Sequence, residues 1–398
     1  MKSIKSLKKL KGKRVLLRVD FNVPLLKNRV LDHSRLQASL PTVQYLMEKG
    51  AKIILLTHIG RPGGKIVPSF STAPVAEHFG IMLGKGVKYI NTGNWSWSEK
   101  RADKVRFEIN HLEDSQIAML ENTRFSSGEE KNDKSLAELF ASLADIFVLD
   151  GFAVAHRPAA SVLGITRFLP SYAGLLLEKE IRGLEKVMKR PKRPFVLVLG
   201  GAKLETKIPV IKHLLPQVTN ILLGGALVNT YLYARGYGVG ASLVQKDLAR
   251  KAMLYGKNKK VIKPLDLVVG NPRGSSFRVV DIEKKPHLIC KKNEAIFDMG
   301  PKTVRLFASY IKQAKTLVWN GAMGVFEQKP YDVATLAVAR LVASRSKGKA
   351  YGVIGGGETL QSMDMAGMTE YIDLVSTGGG AMLEFLSGEK LPGIEALR

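Results

Sequence analysis

Residues 194–208, PFVLVLGGAKLETKI, set an unbroken apolar run (195–199) against a glycine pair and then a stretch of helical spacing carrying Lys203 and Lys207. A short Val/Leu run stopped by glycine reads as a strand buried on both faces. The glycines allow a tight turn, and a helix follows. The unit recurs as NILLGGA (220–226), LDLVVGN (265–271), TLVWNGAMG (316–324), AYGVIGGG (350–357) and DLVSTGGG (373–380). Between these runs lie helical patterns at 245–258, 301–314 and 332–346. Strands alternating with helices predict an α/β architecture with parallel sheets.

The same rhythm runs through the first half. KRVLLRVDF (13–21), AKIILLTHIG (51–60), IAMLENTRF (117–125) and DIFVLDGFA (145–153) read as strands, with helices at 33–50, 72–83 and 135–144. Between the two series, residues 171–194 form one helical pattern stopped by Pro191 and Pro194. The expected organisation is a first domain over 1–172, a connecting helix over 173–190 and a second domain over 191–381.

The chain has 398 residues, enough for two cores, with 45% hydrophobic and 24% charged residues. No run approaches the ~18 apolar residues of a membrane span. The basic start MKSIKSLKKLKGKR lacks the apolar region of a secretory signal. A single cysteine, Cys290, excludes an intrachain disulfide and any cysteine-based zinc spacing, so a reducing cytoplasm is the expected compartment. The net charge of +26 is the unusual feature. It fits polyanionic small substrates, a solvated basic surface, or nucleic acid bound on the same scaffold. No helix-turn-helix, zinc-finger or RNP-type pattern organises the lysines, so no nucleic-acid partner is expected.

In open α/β sheets ligands sit beyond the carboxyl ends of strands. In the first half those ends carry Asp20 and Asn22, His58 and Arg61, Arg124, and His156 with Arg157; Arg35 stands near the start of the first helix. Guanidinium forks suit phosphate and carboxylate groups, so this set predicts a small ligand with several negative charges. In the second half the ends carry glycines instead, the density expected of a nucleotide floor. No Walker sequence occurs, and GYGVGA (236–241) lacks the preceding strand of a dinucleotide fingerprint. The histidines form no ligand-spaced pair, which leaves a hard cation held by one carboxylate and substrate phosphates. An anion site and a nucleotide site on separate domains imply a cleft that closes for phosphoryl transfer.

The runs RVDFNVPL, THIGRP, LENTRF, AHRPAAS, GGAK…TKI, DMGPKT, WNGAMGVFE, GGGET and STGGGAMLEFLSG…LPGIEAL, in this order, resemble the phosphoglycerate kinase family over nearly the whole chain. The resemblance implies two Rossmann-like domains joined by a long helix across a hinged cleft, a monomer, and a tail (382–398) packed back on the first domain. It also implies reversible phosphoryl transfer from 1,3-bisphosphoglycerate to Mg-ADP in glycolysis and gluconeogenesis. Asp20, Asn22, Arg35, His58, Arg61, Arg124 and Arg157 would bind phosphoglycerate, Arg35 also reaching the transferring group. Lys203, Lys207 and the amides of Gly378, Gly379 and Gly380 would stabilise that group. Gly201, Lys207, Asn320, Gly355, Gly356, Gly357 and Thr359 would contact the nucleotide, Glu327 its ribose, and Glu358 the Mg²⁺. Three departures stand out. Ala322 replaces a common proline, which predicts a looser loop; Thr206 and Glu358 each replace a common aspartate.

Overall fold

The computed structural model describes residues 1–96, 98–284 and 288–398. The chain divides into a first unit, Met1–Ile181 with Lys390–Arg398, and a second, Arg182–Glu389. In the first unit β1 (Arg14–Arg18) leads to a small antiparallel hairpin, β2 (Leu25–Leu26) and β3 (Arg29–Val30), and then α1 (Ser34–Glu48). There follow β4 (Lys52–Leu56), α2 (Ala73–Leu83), β5 (Val87–Ile90), α3 (Glu99–Asn110) and β6 (Ile117–Leu120). Helix α4 (Lys134–Ala141), β7 (Ile146–Leu149) and β8 (Ser171–Ala173) complete the alternation.

The sheet order is β5-β6-β4-β1-β7-β8, with every pairing parallel. Val15, Leu16 and Leu17 of β1 are fully buried, as are Ile53–Leu56 of β4. Strands covered on both faces need apolar side chains at consecutive positions, which is why these runs do not alternate. Beneath them, Phe21 and Phe79 pack with ring centroids 4.9 Å apart.

Helix α5 (Leu175–Lys189) carries the boundary between the units. Its first turn is fixed by Asp150, just past β7, whose carboxylate accepts from the backbone N–H of Leu176 (2.9 Å) and Leu177 (3.2 Å). Such bonds satisfy orphan donors of a helix start, while burial raises the Asp150 pKa to about 7.

The second unit continues with β9 (Phe195–Leu199), α6 (Leu204–Leu214), β10 (Asn220–Leu223), α7 (Ala226–Ala234) and α8 (Ala249–Gly256). Then come β11 (Val261–Ile262), β12 (Asp266–Gly270), β13 (Phe277–Asp281), β14 (Ala295–Met299), α9 (Pro301–Gln313) and β15 (Thr316–Asn320). Last are α10 (Val333–Arg345), β16 (Tyr351–Gly355), α11 (Gly357–Met365), β17 (Leu374–Ser376) and α12 (Gly380–Leu386), while α13 (Pro392–Glu395) belongs to the first unit. The main sheet, β11-β10-β9-β15-β16-β17, is again parallel throughout.

LDLVVGN departs from expectation. It forms β12, the centre of a separate antiparallel sheet, β13-β12-β14. A short loop joins β12 to β13, and antiparallel neighbours need no helical crossover. The tail also differs from the 382–398 expected: α12 packs on α6 within the second unit, and Lys390–Arg398 returns to the first. There Lys2 N donates to Leu397 O (3.0 Å) and Gly393 N to Ala155 O (2.9 Å).

Candidate functional site

In the first unit the register places Arg18 opposite both Leu56 and Leu149, so the loops after β1, β4 and β7 start at one level. Arg18 ends β1 and is 2% exposed. Its Nε donates to Ser161 Oγ at 2.9 Å, and its Nη2 lies 3.1 Å from His58 Nδ1. A guanidinium only donates, so Nδ1 accepts and the ring proton sits on Nε2. Burial, then the charge of Arg18, holds His58 well below its ordinary pKa of 6.5. His58 is therefore a neutral hydrogen-bond donor.

The neighbouring loops are bonded to one another. Asn22 Oδ1 accepts from Gly60 N at 2.8 Å, and Arg124 Nη1 donates to Gly60 O at 2.7 Å. Asp20 pairs with Arg35 and accepts from Asn22 N at 3.3 Å. Arg18, His58, Arg124 and Arg157 line a cavity of about 130 Å³ together with Glu129 and Glu130. Arg61 is exposed, and His156 stands beside Arg157. Burial and the neighbouring Arg157 lower the pKa of both Arg124 and His156. Crowded guanidinium groups facing a small cavity make an anion site.

Arg18, Ser161 and Glu129 are missing from the sequence reading. Ser161 Oγ takes the Arg18 bond and donates to Glu129 Oε1, whose other oxygen accepts from Ser161 N at 3.0 Å. An arginine inside the apolar run RVLLRV was the available signal, since a charge at a buried strand position requires a partner. Nothing local marked the glutamate.

In the second unit the register aligns Asn320 with Leu199 and Gly355 with Ser376, so the glycine loops also begin at one level. They bound a cavity of about 430 Å³ reaching from Gly201 and Gly225 to Met323, Val325, Glu327 and Glu358. Its walls are mainly apolar, and exposed Glu327 and Glu358 supply carboxylates at its edge.

The glycines here do two different things. Gly225 has φ +61°, and a Cβ there would lie 2.7 Å from Gly201 N; one on Gly200 would lie 2.0 Å from Ala322 O. These positions let backbone pack on backbone. Around Gly357, Gly379 and Gly380 an added Cβ would meet nothing within 4 Å. Those glycines open the starts of α11 and α12, where N–H groups favour anions. Gly355 and Gly356 pack against Met382 and Asn320.

Asn320 is a buried strut: its Nδ2 donates to Gly355 O at 2.6 Å, while its buried Oδ1 has no partner among the described residues. Thr359 Oγ1 accepts from Gly321 N at 2.7 Å. Both support the loops that the sequence reading assigned them to contact a ligand from. At Ala322, where a looser loop is expected, the carbonyl accepts from Gly201 N at 2.7 Å. Thr206 turns back to Lys203 O, 3.0 Å away.

The helical i, i+4 reading of Lys203 and Lys207 needs correction. Lys203 is the exposed N-cap of α6 with extended backbone, φ −100° and ψ 97°, and only Lys207 lies in the helix. Lys207 is 8% exposed, and burial lowers its pKa to about 8, against an opposing pull from Glu358. Between about pH 8 and 10.5 the unfolded chain therefore holds more protons at this site, so its contribution to stability rises with pH. A phosphate placed beside it favours the charged form. Affinity for a phosphate-bearing ligand held there should then fall above about pH 8, by at most tenfold per pH unit. Calorimetry in buffers of different ionisation enthalpy should show proton uptake on binding, and Lys207→Arg should abolish both effects.

Comparison with known proteins decides between ligand classes. The family model described as phosphoglycerate kinase matches residues 4–389. The chain belongs to the phosphoglycerate kinase family. Phosphoglycerate kinase from Coxiella burnetii is 37% identical, with coverage of 99% of this chain and 98% of that one and a TM-score of 0.84. Phosphoglycerate kinase from Pyrococcus horikoshii OT3 is 30% identical, with coverage of 100% and 98% and a TM-score of 0.85. As a phosphoglycerate kinase family member the chain is an ATP-binding glycolytic kinase, a phosphotransferase with a carboxyl acceptor. No helix among the described residues is long and apolar enough to cross a membrane.

Proposed function

We propose that the arginine-lined cavity of the first unit binds 3-phosphoglycerate or its acyl phosphate, and that the glycine-bounded cavity of the second binds ADP or ATP. The observation that carries this reading is the family match over 4–389, joined to an anion site and an apolar cavity at the strand ends of separate sheets. The protein is proposed to work as a cytoplasmic monomer, with its two units as the two domains.

In the forward direction the bond between the carboxyl oxygen and the phosphorus of 1,3-bisphosphoglycerate breaks. A terminal oxygen of ADP forms the new bond, and the carboxylate leaves with its electron pair. No covalent enzyme intermediate is needed, because positioning and charge stabilisation carry phosphoryl transfer. His58 donates its Nε2 proton as a hydrogen bond; Arg61, Arg124 and Arg157 hold the anionic ends, and Asp20 and Asn22 orient the hydroxyl. Arg35, Lys203, Lys207 and the open amides at Gly379 and Gly380 offset charge on the moving group. Glu327 takes the ribose.

Residues present fit Mg²⁺ bound in the usual way, by one carboxylate and substrate phosphates. Glu358 hangs over the Gly201 turn, its Oε2 3.0 Å from where a Cβ on Gly201 would stand. Among the described residues no group of three or more His, Cys, Asp or Glu could enclose a cation. Glu358 would hold the ion, which when bound neutralises phosphate charge.

A coupled assay tests the reading. Folded protein with Mg²⁺ should form ATP from ADP only when 1,3-bisphosphoglycerate is supplied. No ATP formation under those conditions would sink it.

A further inference from the structure

At the rim of the first cavity two consecutive glutamates point to different tasks. Glu129 is 2% exposed and anchors the loop through Ser161 N at 3.0 Å and Thr123 Oγ1 at 3.3 Å. Four residues further on, Asp133 caps α4 through Leu136 N at 2.9 Å. Glu130 lies between these two fixed points, so its backbone is held at the rim. Its Oε1 lies 3.1 Å from Arg124 Nη2 and 3.7 Å from Arg157 Nη1. One carboxylate oxygen thus sits between two of the guanidinium groups assigned to the ligand, in the position that a ligand's own anionic oxygen requires.

We propose that Glu130 is an internal anion that occupies the Arg124–Arg157 subsite in the free protein and is displaced by the anionic end of the substrate. The proposal rests on reading this cavity as the phosphoglycerate site. Arg124 is 6% exposed in its side chain and crowded by Arg157, so a nearby negative charge relieves repulsion whenever the ligand is absent. Glu130 is 57% exposed and reaches the pair from solvent, which lets it leave without opening the core. The same residue sets affinity and release: binding exchanges the Glu130 carboxylate for the ligand's anionic group, and the departing ligand is replaced by Glu130. A pair whose glutamate is more than half exposed contributes little to folding, so its effect falls on binding.

Titration calorimetry with 3-phosphoglycerate, and separately with inorganic phosphate, tests this on the full chain. Glu130→Gln should tighten both by about three- to tenfold, from the strength of partly exposed ion pairs. Glu138→Gln removes the same charge from an exposed position on α4 and should leave both unchanged, separating local competition from the general field. In an Arg157→Gln background the gain from Glu130→Gln should shrink. Unchanged or weaker binding in Glu130→Gln, or an equal gain in Glu138→Gln, would overturn the proposal. Failure of the wild-type chain to bind 3-phosphoglycerate would overturn the site reading and the proposal with it.

Discussion

Lys203→Ala should lower kcat by about 10²–10³-fold while ADP affinity stays within about threefold. The expectation comes from where the residue stands. Lys203 is an exposed N-cap with extended backbone, so its ammonium is placed by the turn after β9 and is not used to hold α6. Truncation therefore leaves the fold intact. An interaction made mainly with the charge on a moving phosphoryl group lowers kcat and kcat/KM together. Lys207, buried one turn into the helix, is the contrasting case, since its substitution also alters packing. Rapid-quench turnover measured beside equilibrium ADP binding checks the split. A loss confined to KM would assign Lys203 to ground-state binding instead.

The second large effect concerns stability. Arg18→Met should destabilise the chain by about 3–5 kcal/mol, the usual consequence of leaving a buried charge without its counterpart. Arg18 reaches Glu129 through the Ser161 hydroxyl and supports it electrostatically, and both residues are 2% exposed. Methionine fills the volume but removes the buried charge that Glu129 faces through Ser161, leaving that carboxylate with the hydrogen bonds of Ser161 and Thr123. His58 also loses the donor that fixes its tautomer, so the KM for the phosphoglycerate substrate should rise. Urea unfolding with the slope held constant gives the first quantity and steady-state kinetics the second. Arg18→Met combined with Glu129→Gln should recover most of the stability, because the stranded charge is then removed.

The parts of this site legible in the sequence were those carried by short strand-end motifs. His58, Arg124 and Arg157 stand just past apolar runs, and parallel pairing gathers such ends at one edge. Arg18 and Glu129 escaped because their partnership spans more than a hundred positions and passes through a serine. The glycine loops were legible as loops, but their division into packing and open positions depends on what faces each α-carbon across the sheet. For the same reason Asn320 emerges as a strut beneath Gly355. LDLVVGN looked like its neighbours because a buried strand has the same composition in either direction, and only its connections decide the pairing.

The return of Lys390–Arg398 to the first unit has a consequence for synthesis. Domains generally fold as units in the order they leave the ribosome. Here the second unit is a continuous segment, Arg182–Glu389, and can fold as soon as it has emerged. The unit begun first stays incomplete until Leu397 reaches Lys2 and Gly393 reaches Ala155. The earliest-made half of the molecule is thus the last to close, and during that interval the faces it reserves for its final segment are exposed to the cell.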